Sequence, residues 1–223
     1  VGGSSTQLTH TLFTALLDPG DTVILFDPSY ANYGPQLELG PQGLEIAWLD
    51  VFDAETWAYM PDPDVVVERF ESLLSEHHPR LLLFSTPHPY CFVLADCAYR
   101  AQAFGQPEPK HFSASPAEHP NLIRLHSNSK WCRGLGRRLG WIEADPAVVS
   151  AVEVVQQSTA LCPDSVHQHT LAAYLGTALE DGSLQSYMDE TRGLYEAAAR
   201  HTVDCVRRHL DMPCLDAAGG RST

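Results

Sequence analysis

Positive charge is scarce in this sequence. Lys and Arg total 14 against 28 Asp and Glu, a formal net charge of -14 with histidine neutral. So acidic a chain lacks the basic footprint by which proteins grip nucleic acid, and no nucleic-acid partner is expected. Long apolar runs are missing too. Nothing approaches the roughly 20 residues of a membrane-spanning helix, and no signal peptide opens the chain, so no membrane partner is expected either. The six cysteines, at 91, 97, 132, 162, 205 and 214, contain no Cys-x-x-Cys pair. They do not form the dense pattern of a disulfide-stapled scaffold, and reduced thiols in a cytoplasmic protein are the expectation. The 11 histidines include no His-x3-His spacing. His167 and His169, two apart in a helical pattern, point away from each other, so no metal site is expected. No internal repeat and no low-complexity tract interrupts the chain.

What is present is an ordinary globular composition, 44% hydrophobic and 19% charged over 223 residues, enough for one large domain. Small hydroxyl residues, Ser4, Ser5 and Thr6, precede an apolar-periodic helix through Leu12, Phe13, Leu16 and Leu17. At a helix start such residues cap free N–H groups, and the positive end of the dipole there also suits an anion. Strands are expected around residues 22–26, 44–49, 80–84, 91–95, 121–125 and 139–144. The near-continuous apolarity of Arg80-Leu81-Leu82-Leu83-Phe84 marks a central strand covered on both faces. Further helices are expected around 64–77, after Asp145-Pro146, and around 165–179 and 184–210. Val66, Val67, Phe70, Leu73 and Leu74 make the apolar face of the first of these. Val148, Val149, Val152 and Val155 make that of the second. Tyr187, Leu194, Ala198, Val203 and Val206 form the stripe of the last, and Arg207, Arg208 and His209 suit the dipole of its final turn.

The most informative stretch begins Leu125-His126-Ser127-Asn128-Ser129-Lys130 and ends Arg138-Leu139-Gly140-Trp141. A strand-like run gives way to small polar residues and one lysine, and eight residues later Arg138 stands between Gly136 and Gly140. A nucleophilic lysine needs a neutral amine, which desolvation or neighbouring cations favour. A lysine that holds a carbonyl cofactor as a Schiff base also needs an anion site for the cofactor's phosphate. Arg138 and the Ser127 hydroxyl are suited to that task. Alone, Ser-x-Ser-Lys reads more simply as a polar loop with a solvated lysine.

This stretch resembles the lysine motif of the class I/II aminotransferases, which are fold-type I pyridoxal-phosphate (PLP) enzymes. That motif reads Ser-x-Ser-Lys, a Gly-containing loop, then Arg-x-Gly-aromatic. The resemblance extends upstream to the turn Leu17-Asp18-Pro19-Gly20-Asp21 and the loop Pro28-Ser29-Tyr30-Ala31-Asn32-Tyr33. It extends also to Asp96-Cys97-Ala98-Tyr99, an Asp-x-x-Tyr at the carboxyl end of a strand. It implies a Schiff base at Lys130 and a phosphate held by Ser4, Ser5, Thr6, Ser127 and Arg138. It implies Tyr30 stacked on the pyridine ring, Asp96 at the ring nitrogen and Tyr99 at the ring hydroxyl. Arg133 and Arg137 are expected to face solvent.

The fold it implies is a three-layer α/β/α PLP-dependent transferase-like large domain with a mostly parallel sheet, plus the start of a small C-terminal α+β domain. Residues 1–210 would be the PLP-binding large domain, incomplete at its N-terminus, and 211–223 the beginning of a truncated small domain. Members of the family continue past both ends of this chain, which opens at Val1 without a methionine, so a piece of a longer protein is expected. The implied activity is amino transfer between an amino acid and a 2-oxo acid, in a homodimer with its sites near the subunit boundary. The same fold hosts lyases, decarboxylases, cyclases and racemases. A PLP lyase or cyclase and a degenerate non-catalytic homologue therefore stay open.

One departure stands out. The family's Pro-x-Asn-Pro-Thr-Gly, whose asparagine contacts the ring hydroxyl, has no counterpart near Ser85-Thr86-Pro87-His88-Pro89-Tyr90. A parallel crossover needs a dozen or so residues, more than lie between the strands on either side. Two expectations follow. Either a disordered segment is missing between His88 and Cys91, or the strands are antiparallel neighbours and the site is degenerate.

Overall fold

A computed structural model of the chain describes residues 1–53, 58–60, 62–83, 91–104, 114–132, 134 and 136–210. In chain order the strands are β1 (Thr22–Asp27), β2 (Glu45–Asp50), β3 (Phe52–Asp53), β4 (Ala58–Tyr59), β5 (Leu81–Leu83), β6 (Phe92–Asp96), β7 (Leu122–Ser127) and β8 (Gly140–Glu143). The helices are α1 (Ser5–Leu16), α2 (Tyr33–Glu38), α3 (Pro63–His77), α4 (Pro146–Thr159), α5 (Ser165–Glu180) and α6 (Ser183–His209), with a 3-10 turn at Arg100–Gln102. Six strands form one sheet in the order β2-β1-β5-β6-β7-β8, while β3 and β4 make a small separate hairpin. All pairings from β2 to β7 are parallel, and β8 alone runs antiparallel, against β7.

Strand alternation divides the apolar runs between two layers. Val23 and Leu25 of β1 and Leu81 and Leu83 of β5 face a core shared with Leu8, Leu12 and Phe13 of α1 and Val148 and Val152 of α4. Ile24 and Leu82 face the other side, where Val66, Phe70, Leu73 and Leu74 of α3 pack. A parallel sheet covered on both faces must be apolar on both, which is why these strands read as unbroken hydrophobic runs. Burying each such side chain contributes about 1.5–3 kcal/mol.

Helix starts follow the sequence closely. Asp62 before Pro63 and Asp145 before Pro146 are N-caps whose carboxylates accept from Asp64 N–H at 3.0 Å and Ala147 N–H at 2.8 Å. Proline at the first helical position loses no hydrogen bond, since that N–H has no partner within the helix. The short α2 was not expected. It contains Gly34 and Pro35 and has no side-chain cap, and it is held by the burial of Tyr33 and Leu37.

Periodicity overstates three helix faces. Val67 of α3, Val149 of α4 and Leu194 of α6 are exposed, and α6 has no buried residue at all. Their neighbours at helical spacing cover the sheet or lie toward solvent, and a repeat in sequence does not decide which. Arg137 is exposed as expected, whereas Arg133 lies outside the described residues.

One of the two expectations for the connection between β5 and β6 is corrected. The strands are parallel neighbours, with Leu81 opposite Phe92 and Leu83 opposite Leu94, so they are not the antiparallel pair of a hairpin. Both are buried runs inside a sheet covered on two faces, which suits parallel neighbours. The other expectation, a segment missing between His88 and Cys91, falls on residues 84–90, which lie outside the described part.

Among the described residues no helix is long and apolar enough to cross a membrane, and no group of three or more metal-ligating side chains gathers. Cys91, Cys97, Cys132, Cys162 and Cys205 are free thiols.

Candidate active site

Parallel strands bring their carboxyl ends to one edge, and the loops after β1, β6 and β7 meet there. In the order β2-β1-β5 the chain steps from β1 outward to β2 and returns on the other side to β5. Open α/β sheets leave a crevice at such a reversal.

Register assembles one part of the site. Ser127 ends β7 directly opposite Gly140 of β8. The other edge of Gly140 exchanges two backbone hydrogen bonds with Gly2, at 2.9 and 3.0 Å. Two residues further on, Ser4 caps α1, its Oγ accepting from Gln7 N–H at 3.0 Å. Gln7 Oε1 in turn accepts from Gly3 N–H at 3.0 Å, a reciprocal lock like a capping box. The start of α1 and the Arg138-x-Gly140 segment are thereby fastened together, although they lie far apart in sequence. Among the described residues the N–H groups of Ser5 and Thr6 have no acceptor, as expected of a first helical turn. Arg138 sits in the left-handed region, φ 54, and its exposed side chain has no partner among the described residues. Two residues before it, Gly136 has φ 87, so the loop reverses tightly.

Gly140 is required by this contact. A Cβ there would lie 2.7 Å from both Ser4 C and Ser5 N and 2.9 Å from His126 O, all of them backbone atoms. Gly140→Ala is expected to destabilise the fold by about 1–3 kcal/mol through overpacking. Urea unfolding measures this, and an unchanged midpoint would show that the junction is looser than the contacts say.

Lys130 lies on the loop after β7. Its Nζ stands 5.2 Å from the centroid of the Tyr99 ring, and its carbonyl accepts from Gln102 Nε2 at 3.0 Å. The 3-10 turn that follows Asp96 and Tyr99 thus grips the lysine loop. Asp96 ends β6 with both carboxylate oxygens engaged. Oδ2 accepts from the Tyr33 hydroxyl at 2.5 Å and Oδ1 from Ala98 N–H at 2.9 Å. Burial, and then the Asp96 charge, push the Tyr33 phenol far above its ordinary range, so it stays a neutral donor. Tyr30 is 52% exposed and meets the Tyr33 ring edge to face at 5.3 Å. Its hydroxyl accepts from Asn32 Nδ2 at 2.9 Å. Tyr99 is likewise open, 60% exposed. Ser127 is buried, and its Oγ accepts from Ser129 N–H at 3.1 Å, leaving its own hydrogen free to donate.

The structure therefore groups Lys130 with Tyr99, Asp96 with Tyr33, and Ser4, Ser5, Thr6 and Ser127 with the Arg138 loop. Sequence reasoning missed Tyr33 and Gln102 as supports. Tyr33 carried a signal, as the second tyrosine of Pro-x-Tyr-x-x-Tyr, but Gln102 carried none. A cavity of about 630 Å³ lies behind β7, lined by Cys97, His126, Trp141 and Met188 among others. It touches these groups only at Ser127.

Comparison with known proteins bears on this arrangement. The family model described as "Aminotransferase class I and II" matches residues 80–220. An aspartate/prephenate aminotransferase of Thermus thermophilus is 24% identical over 188 residues, 75% of this chain and 46% of the relative. A methionine aminotransferase of Escherichia coli is 25% identical over 196 residues, 78% of this chain and 48% of the relative. The chain spans about half the length of the curated relatives it matches. The multiple substrate aminotransferase of Thermococcus profundus superposes with TM-score 0.72 at 18% identity, covering 99% of this chain and 57% of that one. The aspartate aminotransferase of Thermus thermophilus with maleate gives 0.74 at 16% identity, covering 93% and 56%. These likenesses show the fold, three-layered with a mostly parallel sheet. With its family match running from β5 through the lysine loop and beyond α6, the chain belongs to the class I and II aminotransferases.

Proposed function

We propose that this protein holds pyridoxal phosphate at Lys130 and moves an amino group between an amino acid and a 2-oxo acid. The observation that carries the reading is the convergence at one sheet edge of Lys130 beside Tyr99, Asp96 fixed by Tyr33, and the start of α1 fastened to the Arg138 loop. The family uses pyridoxal phosphate, and the donor set fits it. The first-turn N–H groups of α1, the exposed Arg138 and the Ser127 hydroxyl suit a phosphate. Tyr30 offers an open aromatic face, Asp96 a carboxylate for the ring nitrogen, and Lys130 an amine for the carbonyl. Tyr99 is left to serve the ring hydroxyl without the family's asparagine.

When bound, the cofactor supplies an electron sink for charge developing at the substrate's α-carbon. The chain's own groups do the rest. Asp96, held by two hydrogen bonds, keeps a proton on the ring nitrogen. Lys130 would hold the cofactor through its amine, and the same amine would be the group to carry the substrate's α-proton. Arg138 and the helix start hold the phosphate and with it the orientation of the ring. In this proposal residues 1–210 carry the cofactor site and 211–223 open a smaller domain. The whole protein is proposed to be a cytoplasmic homodimer.

The absent asparagine favours one competing reading, a homologue that has kept the fold without turnover. A visible spectrum of the protein with pyridoxal phosphate separates them, followed by additions of aspartate or methionine and then a 2-oxo acid. Amino transfer requires the lysine-bound absorbance to be lost with the amino acid and recovered with the 2-oxo acid. Product release without a 2-oxo acid would indicate lyase or cyclase chemistry, and no absorbance band at all would leave the non-catalytic reading.

A further inference from the structure

We infer that His167 is a positioning residue for Lys130, acting through the carboxamide of Asn128. The inference rests on the reading of Lys130 as the cofactor-holding lysine. Asn128 stands two residues before Lys130 and is 0% exposed. Its backbone organises the loop: the N–H donates to Leu139 O at 3.3 Å, and the carbonyl accepts from Gly134 N–H at 3.2 Å and from the Cys132 thiol at 3.0 Å. The strand end, the lysine turn and the Arg138 segment therefore all meet at this one residue.

Among the described residues the side chain of Asn128 has a single hydrogen-bond partner. Nδ2 lies 2.7 Å from His167 Nε2, while Oδ1 is buried with no hydrogen-bond partner among the described residues. Turning the carboxamide over would only exchange which of its atoms is left without a partner. Gly134 closes the opposite side, since a Cβ there would fall 2.6 Å from Nδ2. The carboxamide is thus packed against Gly134 and the imidazole, and among the described residues the imidazole supplies its one directional contact. His167 is itself fixed. It lies in the first turn of α5, where the Asp164 carboxylate accepts from Val166 N–H at 2.9 Å and His167 N–H at 3.2 Å. A capped helix start from outside the sheet thereby sets the side chain that sets the lysine loop. Such supporting contacts matter because a reacting group displaced by an ångström loses much of its effectiveness.

The test is a mutant cycle read by absorbance titration with pyridoxal phosphate. His167→Leu removes the acceptor at similar bulk, His167→Gln keeps one, and Asn128→Leu removes the group through which His167 acts. His167→Leu is expected to weaken cofactor attachment by about tenfold, the loss of one hydrogen bond. His167→Gln should restore most of it, and His167→Leu added to Asn128→Leu should change it by less than about twofold. Attachment in His167→Leu equal to wild type would overturn the proposal. So would a loss of the same size with and without Asn128. If His167→Leu does not fold by circular dichroism, His167→Met against His167→Gln makes the same contrast, and equal attachment in the two would overturn it. Failure of the wild-type protein to attach the cofactor at Lys130 would instead remove the underlying reading, before any variant is compared.

Discussion

Lys130→Ala is expected to abolish the visible absorbance of lysine-bound cofactor and to lower turnover by more than about four orders of magnitude. The estimate combines the loss of the covalent anchor with the loss of the proton carrier, the second alone being worth about two to four orders. The substitution should leave the fold intact, because the contact that holds this position is made by the Lys130 carbonyl, accepting from Gln102 Nε2 at 3.0 Å. Alanine keeps that carbonyl. Stability measured by urea should therefore stay close to wild type while the spectrum changes completely. A variant that turned over at wild-type rate would remove Lys130 from the chemistry.

Asp96→Ala is the second large effect, expected to cost about two to four orders of magnitude in turnover, because the electron sink loses the charge that keeps its nitrogen protonated. This change also touches the fold. The buried Tyr33 hydroxyl, 2.5 Å from Asp96 Oδ2, would be left without an acceptor, at a cost of about 1–3 kcal/mol. Asp96→Asn separates the two roles, since its carboxamide oxygen can still accept from Ala98 N–H and its NH2 can donate to the Tyr33 oxygen, but it carries no charge. It should fold nearly as well as wild type and remain almost inactive. Tyr33 adds a pH signature whose sign follows from its shift. Burial first, then the Asp96 charge, raises its pKa in the folded state. Its contribution to stability is therefore complete below the ordinary tyrosine pKa of about 10 and is lost as pH climbs beyond it. Tyr33→Phe should abolish that alkaline loss, as followed by urea midpoints across pH 8 to 11 or so.

Much of this arrangement was legible because some physics is written locally. Doubly covered parallel strands must be apolar on both faces, so Val23-Ile24-Leu25 and Leu81-Leu82-Leu83 announce themselves. Proline after Asp145 marked the start of α4. The spacing of Lys130, Arg138 and Gly140 is constrained over a single loop and could be read there. What could not be read depends on contacts distant in sequence. Nothing near Tyr33 says that its hydroxyl meets Asp96, 63 residues on. Nothing near Gly140 says that Ser4 and Ser5 will press against it. The short α2 forms against its local propensities because Tyr33 and Leu37 are buried. Conversely, of the stripe read on α6, Tyr187, Val203 and Val206 are partly buried while Leu194 and Ala198 are exposed, because apolar spacing does not say which side of a helix is covered.

Borohydride reduction of the wild-type protein with pyridoxal phosphate, followed by peptide mass mapping, tests the central claim most directly. The sequence contains only two lysines, Lys110 and Lys130, so the assignment is a choice between two peptides. The account predicts one phosphopyridoxyl group per chain, on Lys130. Label on Lys110, or no label on either lysine, would contradict it.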